Sequence, residues 1–291
     1  MGGPSTPDAG TKRGERRGLE RIAYDLIGSR ETGAVAIIEV PEGMDPAGAA
    51  REVSSRHRHV KSVLIKRGPR EGEERLRQYE LVWGDENTEV IHKEHGYRLR
   101  LDPRRVYFSP REATDRMEVA SMVRPGERVL VMFAGVGPYA VAMARAQPKV
   151  REVVGVEINP DAVRYFEENI RLNRLEGKVR AILGDVREVC PSMFGEFDRV
   201  VMPLPKGAYM FLDLALRCLR PEGGVIHFYY WGGEDAPERA AALIEGAASR
   251  IGLEARVLGW RRVGSYSPRK WKFRIDVEVR PKRRSGGNPS L

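Results

Sequence analysis

Arg128-Val-Leu-Val-Met-Phe-Ala-Gly-Val-Gly-Pro-Tyr139 is the stretch that decides the fold. Residues 128–132 are almost wholly apolar and predict a buried strand, and a glycine-rich loop follows before a helix that begins near Tyr139. Within the loop, Gly135 and Gly137 let the backbone pass close to a ligand, where a Cβ would collide. A strand, a glycine loop and a helix in this order indicate an α/β fold that binds a nucleotide, a pattern that many such folds share.

The same alternation of strands and helices continues towards the C-terminus. The pattern predicts buried strands at Glu152–Val156, Val179–Leu183, Arg199–Met202 and Val225–Trp231. After the first of these a helix begins, because Asn159 fits the N-cap, Pro160 the first turn and Asp161 the positive end of the helix dipole. Strands and helices at this spacing predict an α/β fold with a doubly wound, Rossmann-like sheet, whose ligands lie at the carboxyl ends of the strands.

The residues before this region have a different pattern. Residues 1–18 mix glycine, proline, serine and charge without periodicity, so we predict a disordered basic tail there and a second disordered tail at 282–291. Residues 19–102 are predicted to form a small α+β domain that positions a substrate, and residues 103–281 the Rossmann-like domain. In the small domain we predict strands at Ala34–Val40, Val60–Ile65, Gln78–Val82 and Thr88–His92, a helix at Ala49–His57, and a turn at Trp83-Gly84-Asp85.

Length and composition limit the class of protein. The 291 residues suffice for one full-sized domain and a smaller one. No apolar run approaches the roughly 20 residues that cross a bilayer, and the N-terminus lacks the hydrophobic segment of a secretory signal. Cys190 and Cys218 have no metal or redox spacing, and His57, His59, His92 and His95 lie on separate predicted elements. We therefore expect a soluble cytoplasmic protein with no membrane partner and no metal.

The charge favours a polyanionic partner. Fifty Lys and Arg against 41 Asp and Glu give a net charge of +9 and a pI near 9.7. Such an excess suits nucleic acid, because each neutralised phosphate releases condensed counterions. An ion-paired surface of the kind found in heat-stable proteins would give the same total. The distribution favours the nucleic acid, since basic residues crowd into Arg51–Arg77, Arg98–Arg116 and Arg261–Arg284.

Two carboxylates follow predicted strands and indicate the ligand. Glu157 lies about 20 residues beyond the glycine loop, at a strand end where a carboxylate can accept both hydroxyls of a ribose. Asp185 ends the next strand and can accept from the amino group of an adenine. The loop lacks the dinucleotide pattern, and no Lys-Ser/Thr follows it as a phosphate loop demands. An adenosine ligand without phosphates is indicated, and S-adenosyl-L-methionine (SAM) fits; the alternative is that both carboxylates are helix caps.

Six segments of the chain stand out as motifs: Val106-Tyr-Phe-Ser-Pro-Arg111, Met132-Phe-Ala-Gly-Val-Gly-Pro-Tyr139, Glu157-Ile-Asn-Pro160, Ile182-Leu-Gly-Asp-Val-Arg187, Arg56-His-Arg-His-Val-Lys61 and Thr88-Glu-Val-Ile-His-Lys93. Together they resemble one family, the archaeal and eukaryotic tRNA methyltransferases that modify N1 of the guanosine 3′ to the anticodon. The resemblance covers roughly Ala23–Arg280. It implies a class I SAM-dependent methyltransferase fold after a small α+β domain, with SAM as cofactor and the anticodon stem-loop of tRNA as partner of a monomeric enzyme.

The resemblance also implies which residues do the work. Guanine N1 becomes a nucleophile when its proton leaves and negative charge spreads onto O6, so a fixed guanidinium beside O6 would stabilise the transition state. Arg111 is the catalytic candidate. A general base must exist, and Glu112, Asp115 and Glu157 are candidates among which the sequence does not choose. The cofactor-binding candidates are Phe108, Phe133, Ala134, Gly135, Val136, Gly137, Glu157, Ile158, Asp185, Val186 and Pro203.

Two positions depart from the family's pattern and leave alternatives open. Relatives often carry Asp where Val131 stands, and Asn-Leu-Pro where Pro203-Leu204-Pro205 stands. The Pro-Leu-Pro form resembles an archaeal subgroup, some of whose members also methylate a tricyclic wyosine intermediate at the same nucleotide. An aminocarboxypropyl transferase of wyosine synthesis is a further alternative, disfavoured by the Phe-Ser-Pro-Arg motif. A non-catalytic RNA-binding protein is the last, disfavoured by the intact glycine loop and carboxylates.

The run Ser267-Pro-Arg-Lys-Trp-Lys-Phe-Arg274 alternates basic and aromatic residues. This alternation suits phosphate contact and base stacking on a nucleic acid. It equally predicts an amphipathic closing strand, with Trp271 and Phe273 on one face and the basic residues on the other. The second interpretation is the one we expect.

Overall fold

The computed structural model describes residues 22–40, 42–71, 76–204, 206–267 and 269–282, and these fall into two compact units. The first unit runs to His92 and includes Asp102–Arg104, and the second comprises Lys93–Leu101 and everything from Arg105 onwards. The tail predicted at 1–18 lies outside the described residues, and so does the tail predicted at 282–291 apart from Lys282.

A four-stranded sheet with one helix forms the first unit. Its elements are β1 (Ala23–Ser29), β2 (Gly33–Glu39), α1 (Pro46–Arg56), β3 (Val60–Glu71) and β4 (Leu76–Gly84). The strands lie in chain order, and only β2 and β3 run parallel, because α1 crosses over between them. Asp45 caps α1 by accepting from Gly48 N at 2.8 Å. The buried face of α1, formed by Ala49, Ala50 and Val53, joins the core over the sheet.

The predicted turn at Trp83-Gly84-Asp85 is wrong in its bounds. Trp83 and Gly84 are the last residues of β4 and pair with Val63 and Ser62 of β3. The strand continues through Gly84 because this residue has no side chain, and a Cβ there would lie 2.0 Å from the Lys61 carbonyl oxygen. The following strand is also later than predicted: β5 spans Val90–Glu94, and β5 and β6 (Tyr97–Leu101) stand outside both larger sheets.

The second unit alternates helices and strands. In chain order its main elements are α2 (Ala113–Ser121), β7 (Arg128–Met132), α3 (Pro138–Ala146), β8 (Glu152–Glu157), α4 (Pro160–Leu172), β9 (Val179–Leu183), α5 (Val186–Val189), β10 (Arg199–Met202), α6 (Leu212–Cys218), β11 (Gly224–Gly232), α7 (Ala236–Arg250), β12 (Leu253–Ser267) and β13 (Lys270–Pro281). Short 3-10 helices lie at Pro110–Glu112, Cys190–Met193 and Ala208–Phe211. The predicted strands at β7, β9 and β10 are confirmed to the residue.

These strands form one seven-stranded sheet in the order β12-β13-β11-β10-β7-β8-β9. The strands from β7 to β11 pair in parallel, whereas β13 is antiparallel to both of its neighbours. The chain runs outwards from β7 through β8 to β9 and then returns to the other side of β7 at β10. The order therefore reverses between β7 and β10, which is where doubly wound sheets bind their ligands.

Strand β13 is not the amphipathic closing strand that the sequence indicated. It lies inside the sheet between β11 and β12, so both of its edges are paired, and residues on both of its faces are buried. Phe273 and Ile275 are buried on one face, as predicted for an apolar core. Lys272 and Arg274, expected on a solvent-exposed face, are equally buried at 3% exposure each. Both charges are neutralised by ion pairs: Lys272 pairs with Glu112, just before α2, and Arg274 pairs with Asp115, on α2.

Candidate active site

The glycine loop after β7 has an unusual backbone. Phe133, Gly135 and Gly137 all have positive φ, at 60°, 56° and 81°. Left-handed backbone at a non-glycine residue such as Phe133 is uncommon and often marks a functional site. Here the Phe133 ring packs edge-on against Phe211, with centroids 5.1 Å apart.

The two glycines of this loop serve different purposes. A Cβ on Gly135 would meet nothing closer than the Tyr107 carbonyl oxygen at 3.8 Å, so the loop has open space on that side. A Cβ on Gly137 would instead lie 2.0 Å from the Phe166 ring. Gly135 is thus the position where a ligand can approach the backbone, and Gly137 is required by internal packing as the N-cap of α3.

Glu157 is fixed beside the same loop. Its Oε2 accepts from Gly135 N at 2.7 Å, and its Oε1 accepts from Ile158 N at 3.0 Å and Asn159 N at 2.9 Å. The helix that follows is capped by Asn159, whose side chain accepts from Asp161 N at 2.9 Å. Glu157 is therefore not a helix cap, and the three amides hold a half-buried carboxylate at the edge of the open space.

Asp185 has the cap role that the sequence left open. Its side chain accepts from Arg187 N at 2.8 Å and so caps α5, and the Arg187 guanidinium also pairs with it. Hydrogen bonding to Arg187 lowers the pKa of Asp185, which keeps the carboxylate ionised. Gly184, the residue before Asp185, is close to Glu157, since its backbone N donates to the Glu157 carbonyl at 2.9 Å. Capping and ligand binding are compatible here, because an ionised carboxylate has several lone pairs.

The remaining cofactor-site candidates are mostly buried or half-buried. Val136 and Val186 are buried, Ala134 N donates to the Val156 carbonyl at 2.9 Å, and Ile158 is half-buried. Pro203 is half-buried directly after β10, and Pro205 lies outside the described residues. Phe108 is 9% exposed beneath the Arg116 guanidinium, 5.1 Å from its ring centroid.

Arg111 lies on a turn with tightly held neighbours. It is exposed at the centre of the 3-10 helix Pro110–Glu112, and polar groups on both sides of it are held by other residues. The Ser109 carbonyl accepts from both terminal nitrogens of Arg116 at 3.1 Å. The Glu112 carboxylate accepts from Lys272 at 2.9 Å and from the Tyr107 hydroxyl at 3.2 Å. An exposed guanidinium is thereby presented on a constrained backbone.

Each general-base candidate has structural partners. Burial alone would raise the pKa of Glu112, but the charge and hydrogen bond of Lys272, together with Arg116 and the Tyr107 hydroxyl, hold that pKa below its usual range. Asp115 is buried and accepts from the hydroxyls of Tyr139 and Tyr229 and from Arg274. Burial and the Asp115 charge raise the pKa values of both tyrosines, so they remain protonated donors.

A buried polar cluster behind the turn was missed from the sequence. Besides Lys272 and Arg274 it contains Asp276, whose Oδ1 lies 2.6 Å from His227 Nδ1. The sequence analysis placed Lys272 and Arg274 on a solvated face of the last strand. Their alternate spacing on β13 and the acidic residues three apart at Glu112, Asp115 and Glu118 are visible in the sequence, but neither pattern identifies the other as its partner. Arg274 contacts the last two of these.

Two features are absent from the described residues. None of the described helices is both long and apolar enough to cross a membrane. Among the same residues, no group of three or more His, Cys, Asp or Glu side chains is arranged to hold a metal ion.

The strand order, the glycine loop at the switch point and the fixed carboxylate after β8 define a class I, Rossmann-like, SAM-dependent methyltransferase. Residues 90–258 match the TRM5/TYW2 methyltransferase domain, and the chain belongs to that family.

Proteins similar in sequence and in structure match nearly the whole chain. The tRNA (guanine(37)-N(1))-methyltransferase Trm5b of Pyrococcus abyssi is 42% identical over 274 residues, which are 91% of this chain and 77% of the relative. A solved complex of aTrm5 with tRNALeu has a TM-score of 0.77 at 34% identity, covering 92% of this chain and 75% of the other. The Methanocaldococcus jannaschii Trm5 structure in complex with adenosine has a TM-score of 0.76 at 32% identity, covering 93% and 77%.

Proposed function

We propose that this protein transfers the methyl group of SAM to N1 of guanosine 37 of tRNA, the nucleotide 3′ to the anticodon. One observation carries the proposal. The segment that leads to Arg111 passes beside the cofactor loop, since the Tyr107 carbonyl oxygen is the nearest atom to the open side of Gly135. A candidate catalytic guanidinium thus lies four residues along the chain from the place where a ligand can approach the glycine loop. The activity named for the P. abyssi relative supports the same reaction.

The residues at the strand ends fit SAM. The Glu157 carboxylate, already oriented by three amides, retains lone pairs for the two ribose hydroxyls. Asp185 is ionised and suits the adenine amino group. The open side of Gly135 admits the ligand to the backbone, and Phe108, Ile158, Val186 and Pro203 supply apolar contacts around it. SAM, when bound, supplies an electrophilic methyl group, and no phosphate-binding group is needed.

Arg111 would act on the base rather than on the cofactor. As the N1 proton of guanine leaves, charge develops on O6, and a guanidinium held there stabilises the transition state more than the ground state. A fixed turn suits this role, because catalytic groups must be held close to their productive geometry. The proton acceptor is left unassigned, since Glu112, Asp115 and Glu157 each have structural partners.

Methylation of a tricyclic wyosine intermediate at the same nucleotide is the second candidate activity. Pro203 follows β10 at the switch point and offers no side-chain donor or acceptor to the base, where family members commonly have Asn. A site without that amide makes fewer demands on the hydrogen-bonding edge of its substrate. The Phe-Ser-Pro-Arg motif disfavours aminocarboxypropyl transfer, and the intact loop and carboxylates disfavour a purely RNA-binding role. We also propose that the enzyme is a cytoplasmic monomer that grips the anticodon stem-loop.

The test is a methylation assay with SAM on an unmodified tRNA transcript with guanosine at position 37. A matched transcript with adenosine there is the control, and products are identified by nucleoside mass spectrometry. N1-methylguanosine from the first transcript alone is the expected result. A product from a tRNA bearing the wyosine intermediate adds the second activity. An added mass equal to an aminocarboxypropyl group, or no product from any of these substrates, overturns the proposal.

A further inference from the structure

Two buried cations hold the turn that carries Arg111. The Lys272 side chain is 4% exposed, and its Nζ lies 2.9 Å from Glu112 Oε2 and 4.6 Å from the centroid of the Tyr229 ring. The Arg116 side chain is 2% exposed and is gripped at two points by Glu94, with both distances 2.7 Å. Arg116 in turn donates to the carbonyl of Ser109. One cation therefore fixes each side of the turn.

The intervening backbone has little freedom. Only Pro110 and Arg111 separate the residues that the two cations hold, and the proline ring fixes its own φ. The proline also restricts Ser109 to an extended conformation, which Ser109 adopts at φ −131° and ψ 113°. With both ends anchored, the position of the Arg111 backbone is determined by the two ion pairs.

Lys272 also belongs to the larger cluster on β13. Two residues further along the strand, Arg274 pairs with Asp115, which accepts from the Tyr139 hydroxyl at 2.7 Å. Tyr139 is the second residue of α3, directly after the glycine loop. The cluster thus touches both the turn that bears Arg111 and the helix that starts at the cofactor loop.

Stability alone is a weak reason for such a pair. Desolvating two charges is costly, and well-packed apolar residues of similar volume often give equal or greater stability. A charged pair does, however, define a distance and a direction that an apolar contact does not. The geometry of Lys272 and Glu112 therefore suits positioning better than it suits stabilisation.

We propose that Lys272 and Glu112 are positioning residues for methyl transfer, which hold the Pro110–Glu112 turn so that Arg111 meets the reacting base. The proposal rests on the catalytic role proposed for Arg111. In this role both residues act through Arg111.

The test uses the double variant E112Q/K272M, because removing one partner would leave a buried charge and endanger the fold. The matched control is E127Q/R199M. It removes another buried pair, 4% and 12% exposed, at the opposite end of β10 from the site. For E112Q/K272M we expect kcat to fall by about 10- to 100-fold, since small misplacements of catalytic groups have effects of this size. The SAM dissociation constant and the KM for tRNA should stay within about threefold, and the control should keep its kcat within about threefold.

Two further measurements separate positioning from general loss of structure. In an R111A background, E112Q/K272M should lower kcat no further than about twofold, because residues acting through one group are not additive. Hydrogen exchange of the amides at 109–113 should be faster in E112Q/K272M than in wild type or the control, and this readout needs no substrate. Wild type that methylates none of the tested tRNAs overturns the proposed function alone. Unchanged exchange, an unchanged kcat, or a full additional loss without Arg111 overturns the positioning role.

Discussion

The ring of Phe166 occupies the space that a side chain at Gly137 would need: an added Cβ would lie 2.0 Å from one ring carbon and 2.2 Å from the next. The same ring closes against Gly155 of β8, where an added Cβ would lie 2.4 Å away. A single aromatic side chain from α4 thus packs on two glycines, one in the cofactor loop and one in the neighbouring strand. The glycine loop keeps its shape because this ring fits only against bare backbone.

Gly137→Ala should therefore lower the free energy of unfolding by more than the left-handed backbone at this position alone implies. Left-handed backbone costs alanine about 1–2 kcal/mol, and overpacking against Phe166 should add roughly 1–3 kcal/mol. Gly177→Ala is the matched control, because Gly177 has φ 79° and nothing within 4 Å of its Cβ position. Denaturant unfolding of both variants measures the difference. Equal losses of stability in the two variants would show that the Phe166 ring moves aside without cost. Adding Phe166→Leu to Gly137→Ala should restore part of the lost stability.

Arg111→Ala should abolish most methyl transfer without weakening the cofactor site. Removing one preorganised donor to a developing oxyanion typically lowers kcat by about 10²–10³-fold. The SAM dissociation constant should stay within a few-fold of wild type, because Arg111 is assigned to the base. Arg111→Lys keeps the charge but not the planar fork, so an intermediate rate is expected. Single-turnover kinetics and calorimetric SAM titration make the comparison, and a large loss of SAM affinity would assign Arg111 to the cofactor instead.

Asp185 needs a variant that separates its two roles. Asp185→Ala removes both the cap of α5 and the acceptor for adenine, and it should weaken SAM binding about tenfold or more. Asp185→Ser keeps a good capping side chain but is too short and too neutral to replace the carboxylate at the ligand. We expect both variants to lose affinity, with only the alanine variant losing helix stability. If the serine variant bound SAM with wild-type affinity, Asp185 would be a helix cap and would not bind the adenine.

His227 should make the fold sensitive to mild acid. Burial lowers its pKa, the hydrogen bond to Asp276 opposes this, and the nearby Arg199 lowers it further, so the net pKa lies below the ordinary value of about 6.5. Below that value the unfolded chain takes up a proton that the folded chain does not. The full contribution to stability is therefore present above about pH 6.5 and is lost as the pH falls towards the folded pKa.

Melting temperatures at pH 7.5, 6.5 and 5.5 measure this effect. The slope from one proton is at most about 1.4 kcal/mol per pH unit. His227→Gln, which cannot titrate, should melt at a lower temperature but with a flatter pH dependence over this range. If the melting temperature of His227→Gln fell with pH as steeply as that of wild type, a group other than His227 would cause the acid sensitivity.

The sequence predicted best what depends on neighbouring residues. The apolar run at 128–132, the glycine spacing and the Asn159 cap are local signals, and the structure has β7, the left-handed loop and the capped helix at those residues. The doubly wound α/β sheet follows from the same alternation of strands and helices, whereas the class I assignment came from the family resemblance. Strand β1 was not predicted, because only Ile27 of its seven residues is buried, so no clear alternation exists. The assignments of Arg111 and the cofactor residues stay predictions.

The buried cations could not be predicted in this way. Arg274 and Asp115 are 159 residues apart in the chain, and neither carries a local sign of the other. A run that alternates basic and aromatic residues ordinarily forms a half-exposed strand. The pattern therefore predicted that Lys272 lies on the solvated face of that strand. Lys272 is buried by tertiary contacts, among them Glu112 and the Tyr229 ring, and such contacts are a property of the whole domain. Residues whose role depends on tertiary partners are therefore the ones that sequence patterns place wrongly.

The place of β13 also means that the surroundings of the Arg111 turn are completed last as the chain is synthesised. The ribosome makes the glycine loop, Glu157, Asp185 and the Arg111 turn before it makes β13, yet β13 fills an internal position in the sheet and brings Lys272 to the turn. A nascent chain halted before Lys270 would contain every residue assigned to the cofactor and the base, and Arg116 on one side of the turn, but not Lys272 on the other. In the proposed positioning role, the turn would gain its second anchor only after the last strand has been made and has paired between β11 and β12.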